Sequence, residues 1–209
     1  MMSIETYAEL KTAIANWLKG RTDLTSRIPE FIALAEDRIA QDDRIRIRAM
    51  ETSADLTIND RDTALPTGFL GVRRIYLSGS PNTRLDFLAP DDYWSRHGSS
   101  NTGQPKFYTI EGENFLWGPV PDTTYTGKLL YYKRFTALSS DSDTNWLLTN
   151  ARGLLLYGAL VEAAPYLGNE PRLMTWAALY DDIADKLRAA DRKDRHGSGL
   201  MQRSQYTVV

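Results

Sequence analysis

Five consecutive oxygen-bearing residues, Asp141-Ser142-Asp143-Thr144-Asn145, have the spacing that opens a calcium-binding loop, where alternate side chains converge on one hard cation. The pattern then fails. Its sixth position is Trp146 where the turn needs glycine, and its twelfth is Arg152 where a bidentate glutamate is required, so the run reads as a helix-capping linker. Asp181, Asp182 and Asp185 place carboxylates one turn apart on a helix, as metal sites and acid–base pairs require. Lys186 and Arg188 stand close to them, however, and a solvated face with ordinary ion pairs follows. His97 lies between Ser95 and Ser99 in a glycine-flanked stretch, yet the chain has no Gly-x-Ser-x-Gly elbow on which to build a hydrolase triad. His196, beside Gly197-Ser198-Gly199, reads as a tail residue. No catalytic residue, metal site or cofactor site is expected.

The basic residues raise a different chemistry. Arg44, Arg46 and Arg48 alternate along the chain, and Arg188, Arg192, Lys193 and Arg195 make the C-terminal section locally positive. Either group could face phosphate, but neither is interleaved with the aromatic residues on which bases stack, and a solvated face is the plainer reading. Tyr131-Tyr132-Lys133-Arg134-Phe135 does mix aromatic and basic residues. As a strand it would put Tyr131, Lys133 and Phe135 on one side, so half its rings belong to a sheet core.

Bulk composition narrows the classes further. The 209 residues can bury a core without covalent staples. With no cysteine, thiolate catalysis and cysteine-ligated metals are excluded, and manufacture in a reducing cytoplasm fits. Twenty-five basic residues against 27 acidic give a net charge of −2, without the global positive field of a nonspecific nucleic-acid binder. The N-terminus has no secretory pattern. The longest apolar run, about Leu154 to Leu167, contains Glu162 and Pro165 and is shorter than the roughly 20 residues of a spanning helix, so no membrane role is expected.

These residues must be positioned by a helix–strand–helix order. Tyr7, Leu10, Ile14, Trp17 and Leu18 recur at helical spacing from Thr6 to Lys19, and Gly20 is placed to stop the turn. A second helix begins near Ser26, with Pro29 and Glu30 in its first turn and Phe31, Ile32, Ala35 and Ile39 as its stripe. The run Arg44 to Arg48 fits an emerging strand or a helix continuing to about Met50. From Thr52 the texture turns to short alternating runs: Ala54 to Ile58, Gly71 to Ser78, Phe107 to Glu111, Asn114 to Trp117 and Tyr125 to Phe135 predict strands. Glu111 to Asn114 supplies a hairpin turn, Pro90 to Trp94 a short helix, and Gly98 to Gly103 a mobile loop. Ser139 to Thr144 is a polar linker. A largely apolar helix then spans about Thr149 to Leu167, distorted and ended by Pro165 and Gly168, and a last one starts near Pro171. Beyond Ala190 the apolar stripe stops, which predicts a tail that orders against a partner.

Several strings in this order resemble the adaptor, or head-to-tail connector, proteins of tailed bacteriophages. They are Tyr7-Ala8-Glu9-Leu10, Ile28 to Ile39, Leu65-Pro66-Thr67-Gly68-Phe69-Leu70, and Asn145-Trp146-Leu147-Leu148 followed by Leu156 to Leu167. The resemblance covers most of residues 1–190.

What the resemblance implies is an α+β protein: a mainly helical bundle body, a β-rich insertion and an extended C-terminal arm. The expected divisions are 1–51 and 139–190 for the body, 52–138 for the insertion and 191–209 for the arm. It implies a structural virion protein of the neck, forming a homo-oligomeric ring, usually of twelve copies. That ring would dock below the portal, meet tail or nozzle proteins, and let DNA pass in transient, nonspecific contact. Leu200, Met201, Tyr206, Val208 and Val209 are then the apolar anchors of a portal-binding arm. Tyr7, Leu10, Trp146, Leu155 and Tyr157 are the expected subunit interface, and Arg44, Arg46 and Arg48 the candidate channel lining. Two alternatives stand beside it: a tail-completion protein bound to the tail tube, and a hydrolase or metal enzyme using His97.

Overall fold

A computed structural model describes residues 4–19, 21–98, 101–168 and 170–196, with the backbone alone at His196. It is α+β, and the chain divides into two compact units: residues 1–49 with 135–209, and residues 50–134.

The first unit is built of helices. α1 (Tyr7–Trp17) starts at a reciprocal cap, in which the Thr6 hydroxyl accepts from the Glu9 N–H at 3.3 Å and the Glu9 carboxylate accepts from the Thr6 N–H at 3.2 Å. A 3₁₀ turn over Thr22–Arg27 leads into α2 (Ile28–Gln41), whose Pro29 occupies the first turn, where the missing N–H has no intrahelical role. The period-two run that follows is neither strand nor continued helix. It forms two 3₁₀ turns, Asp43–Ile45 and Arg48–Met50, and its alternation records the burial of Ile45 and Ile47.

After the second unit the chain returns through a capped linker to α4 (Trp146–Asn150) and α5 (Arg152–Leu167). One helix was expected there; two form, because Ala151 leaves the helical region at φ −144°, ψ 39°. α5 continues through Pro165 and stops at Gly168, whose φ of +72° suits a residue without Cβ. α2 packs on α5, and α5 on α6 (Leu173–His196). Gly158 allows the α2–α5 approach: a Cβ there would lie 3.1 Å from the Ala35 Cβ. α6 extends to His196, past the expected end at Ala190, and the ion pair of Asp191 with Arg195 spans its last turn.

The second unit carries two four-stranded sheets around one core. β1 (Glu51–Ile58), β8 (Tyr125–Lys133), β3 (Phe69–Leu77) and β4 (Thr83–Arg84) form one sheet in the order β1-β8-β3-β4. The other has the order β2-β7-β6-β5, from β2 (Asp62–Ala64), β7 (Asn114–Gly118), β6 (Phe107–Glu111) and β5 (Asp86–Phe87). β6 and β7 make a two-residue hairpin in which Glu111 faces Asn114 and Gly112 takes φ +59°. Ile58, Ile75, Leu129 and Tyr131 from the first sheet share a core with Phe115 and Trp117 from the second. α3 (Pro90–His97) closes on it through Tyr93, whose hydroxyl donates to the Trp117 carbonyl at 2.9 Å.

Candidate functional site

The oxygen-rich run holds the linker together through its side chains. Asp143 accepts hydrogen bonds from the Ser139 and Ser140 N–H groups at 2.9 and 2.7 Å and from the Ser139 hydroxyl at 2.9 Å, which hold its carboxyl below the usual carboxylate range. Asp141 pairs with Lys11 at 2.5 Å, and Asn145 caps α4 by accepting from the Leu148 N–H at 3.1 Å. Among the described residues no group of three or more His, Asp or Glu side chains is arranged to hold a metal.

The aspartates of α6 are charge partners. Asp182 pairs with Lys186 at 2.6 Å, while Asp181 and Asp185 turn to Arg44, at 2.8 and 3.8 Å. Arg44 also grips Asp42 at 2.8 Å, and the hydrogen bonds it donates to Asp42 and then to Asp181 raise its already high pKa. Arg46 lies 3.7 Å from Asp43, and the Arg48 guanidinium 3.9 Å from Asp194. The three arginines that alternate in sequence therefore stand among carboxylates of their own unit, and Arg48, two-thirds exposed, is the least compensated.

His97 packs among aromatic rings: its own ring is tilted on Phe107 at 5.4 Å and near Tyr93 at 5.9 Å. Burial, with Arg96 adding to it, lowers its pKa, and its buried Nδ1 has no hydrogen-bond partner. Neither feature belongs to a base oriented by a carboxylate.

The expected interface residues separate by burial. Tyr7, Leu10 and Leu155 are buried within the helical unit. The helical spacing marks a buried stripe and cannot say whether the same chain covers it. Trp146 and Tyr157 stay partly exposed; Trp146 stacks on Phe135 at 5.4 Å, and Tyr157 meets Trp17 edge to face at 5.8 Å. In the helical unit, exposed large apolar side chains include Trp17, Leu34, Tyr166 and Met174, the last 77% exposed. Met174 and Tyr166 flank the α5–α6 connection, and an apolar residue beside a helix break is the signal in sequence that would have found them. Leu200, Met201, Tyr206, Val208 and Val209 lie outside the described residues, as do Gly20, Ser99 and Ser100. Asn101 and Gly103, from the same expected loop, are pinned to Val120 by backbone hydrogen bonds of 3.0 and 2.8 Å.

No described helix is long and apolar enough to cross a membrane. Among curated proteins, none matches the chain significantly. One family model, described as SU10 adaptor protein, matches residues 5–203 and so spans both units. Over nearly the full length, and with a fold whose polar clusters do structural work, the chain belongs to the SU10 adaptor family of bacteriophage structural proteins.

Proposed function

We propose that this protein is the adaptor ring of a phage neck, joining the portal to the tail or nozzle and surrounding the channel through which DNA leaves. The observation that carries the reading is the match to an adaptor family along residues 5–203. Two features support it. Trp17, Leu34, Tyr166 and Met174 leave apolar surface that a ring neighbour can cover, as a heterologous interface requires. The candidate channel arginines, Arg44, Arg46 and Arg48, face carboxylates in their own unit, and such a wall holds phosphate weakly enough for DNA to slide.

In this reading the segment from Leu200 to Val209 fastens to the portal, the ring has about twelve subunits, and synthesis takes place in the host cytoplasm before assembly into the virion. The test is electron microscopy of the purified protein mixed with its portal. An added ring below the portal is expected, and deletion of residues 200–209 should abolish it. A portal that never acquires the ring overturns the reading, and a ring that survives the deletion moves attachment to another surface.

A further inference from the structure

We propose that the outer edge of β3, with the cleft beside it, binds an extended acidic segment of a partner protein by strand addition. β4 covers β3 only where Leu77 and Tyr76 face Thr83 and Arg84, and Leu85 adds one bond from its N–H to the Ile75 carbonyl at 3.2 Å. From Phe69 to Arg74 no described strand lies on that side. The register against β8 shifts between Phe69 and Gly71 and between Val72 and Arg74, so the open edge is short, and an added strand pairs there over a few residues only.

The cleft gives that edge its selectivity. It has a volume of about 510 Å³, and its walls include Val72, Arg73, Arg74, Arg84, Phe87 and Tyr108. Three arginines line it against one carboxylate, Glu51. Arg73 reaches the largely buried Glu51 at 3.5 Å, and the exposed Arg84 reaches the exposed Asp86 at 3.4 Å, both long contacts. Arg74 makes no ion pair among the described residues and lies over the Tyr76 ring at 5.5 Å. An incoming carboxylate fits such a fork of donors. Phe87, 57% exposed and edge-on to Tyr108 at 5.6 Å, offers an apolar wall beside it.

Side chains of an added strand alternate between its two faces, so the matching segment alternates acidic and aliphatic residues. A nucleic-acid backbone would satisfy the arginines but leave the edge amides and Phe87 unmatched. The inference concerns the β-rich unit alone and holds whichever virion component supplies the segment.

A displayed library of random heptapeptides, selected on the full chain, tests it. Peptides alternating Asp or Glu with Val, Ile or Leu should be enriched. A synthetic peptide of the enriched sequence should slow hydrogen exchange at those β3 amides between Gly71 and Ile75 that point away from β8. Arg74→Glu and, separately, Arg84→Glu should weaken its binding at least tenfold with the circular dichroism spectrum unchanged. No enrichment, enrichment of neutral or basic peptides, or affinity unchanged in Arg74→Glu overturns the proposal. So does self-association of the free protein through β3, or a 20-base-pair DNA duplex that binds in place of the peptide.

Discussion

The carboxylate of Glu36, on α2, accepts a hydrogen bond at 3.0 Å from the backbone N–H of Leu138, 102 residues later in the chain, and both residues are buried. A buried amide of a returning linker is thus satisfied by a side chain of the first half. Glu36→Ala should destabilise the protein by about 1–3 kcal/mol, because the Leu138 donor is left without its acceptor. Glu36→Gln, which keeps an oxygen, should retain more than half of that. Urea unfolding of both variants checks the ordering, and equal losses would count against it.

Gly158 makes a second prediction. Its missing Cβ is what lets α5 approach Ala35, so Gly158→Leu must push the two helices apart or distort them. A loss of about 1–3 kcal/mol is expected from such overpacking, with a lowered thermal midpoint as the readout.

Acid should act on the α5–α6 connection. Arg172 binds Glu170 through Nε and Nη2, each at 2.7 Å, and these bonds outweigh desolvation to hold the Glu170 carboxyl down to about 2. The folded value lies below the unfolded one of about 4.3. Its stabilisation is therefore complete above that pH and disappears as pH falls toward 2. Carboxyl carbon NMR should show a depressed Glu170 midpoint that returns to the ordinary range in Arg172→Met.

His97→Ala separates packing from chemistry. Loss of a ring held between Phe107 and Tyr93 should cost about 1–3 kcal/mol by leaving a cavity, while attachment to the portal stays at the wild-type level. Thermal unfolding and portal co-sedimentation measure the two quantities; intact stability with lost function would point back to a catalytic histidine.

Arg44→Met leaves Asp42, Asp181 and Asp185 facing one another without their shared cation. The side chain is one-third exposed, so screening limits the expected loss to about 1 kcal/mol, shrinking as salt is added. Urea midpoints at low and high salt should show that convergence.

Sequence reading located the long elements because their apolar residues repeat over several turns or pairs. The stripe Phe31, Ile32, Ala35, Ile39 became α2, and the Phe107 to Glu111 run became β6 with the same bounds. It missed β2, β4 and β5, which have three, two and two residues and cannot show a period. The alternation Arg44 to Arg48 misled for a related reason: two buried isoleucines flanked by arginines look alike in a strand and in tight turns. α6 outlasted its apolar stripe because its last turns are secured by polar contacts, the Asp191–Arg195 pair and the Arg48 N–H donated to Asp191, which hydropathy does not register. For the site, periodicity found the buried faces Tyr7, Leu10 and Leu155, but not the exposed Met174 or the β3 edge. Those depend on what other segments fail to cover.

The chain enters the β-rich unit on β1 and leaves it on β8, and these two strands are paired neighbours, with Glu51 opposite Tyr132. Entry and exit thus share a doorway one strand spacing wide. A short peptide loop can bridge that gap in the helical unit, and a foreign module with adjacent termini can be spliced into it. Exchange of the whole β-rich unit therefore needs only two cuts in the chain, made at neighbouring strands.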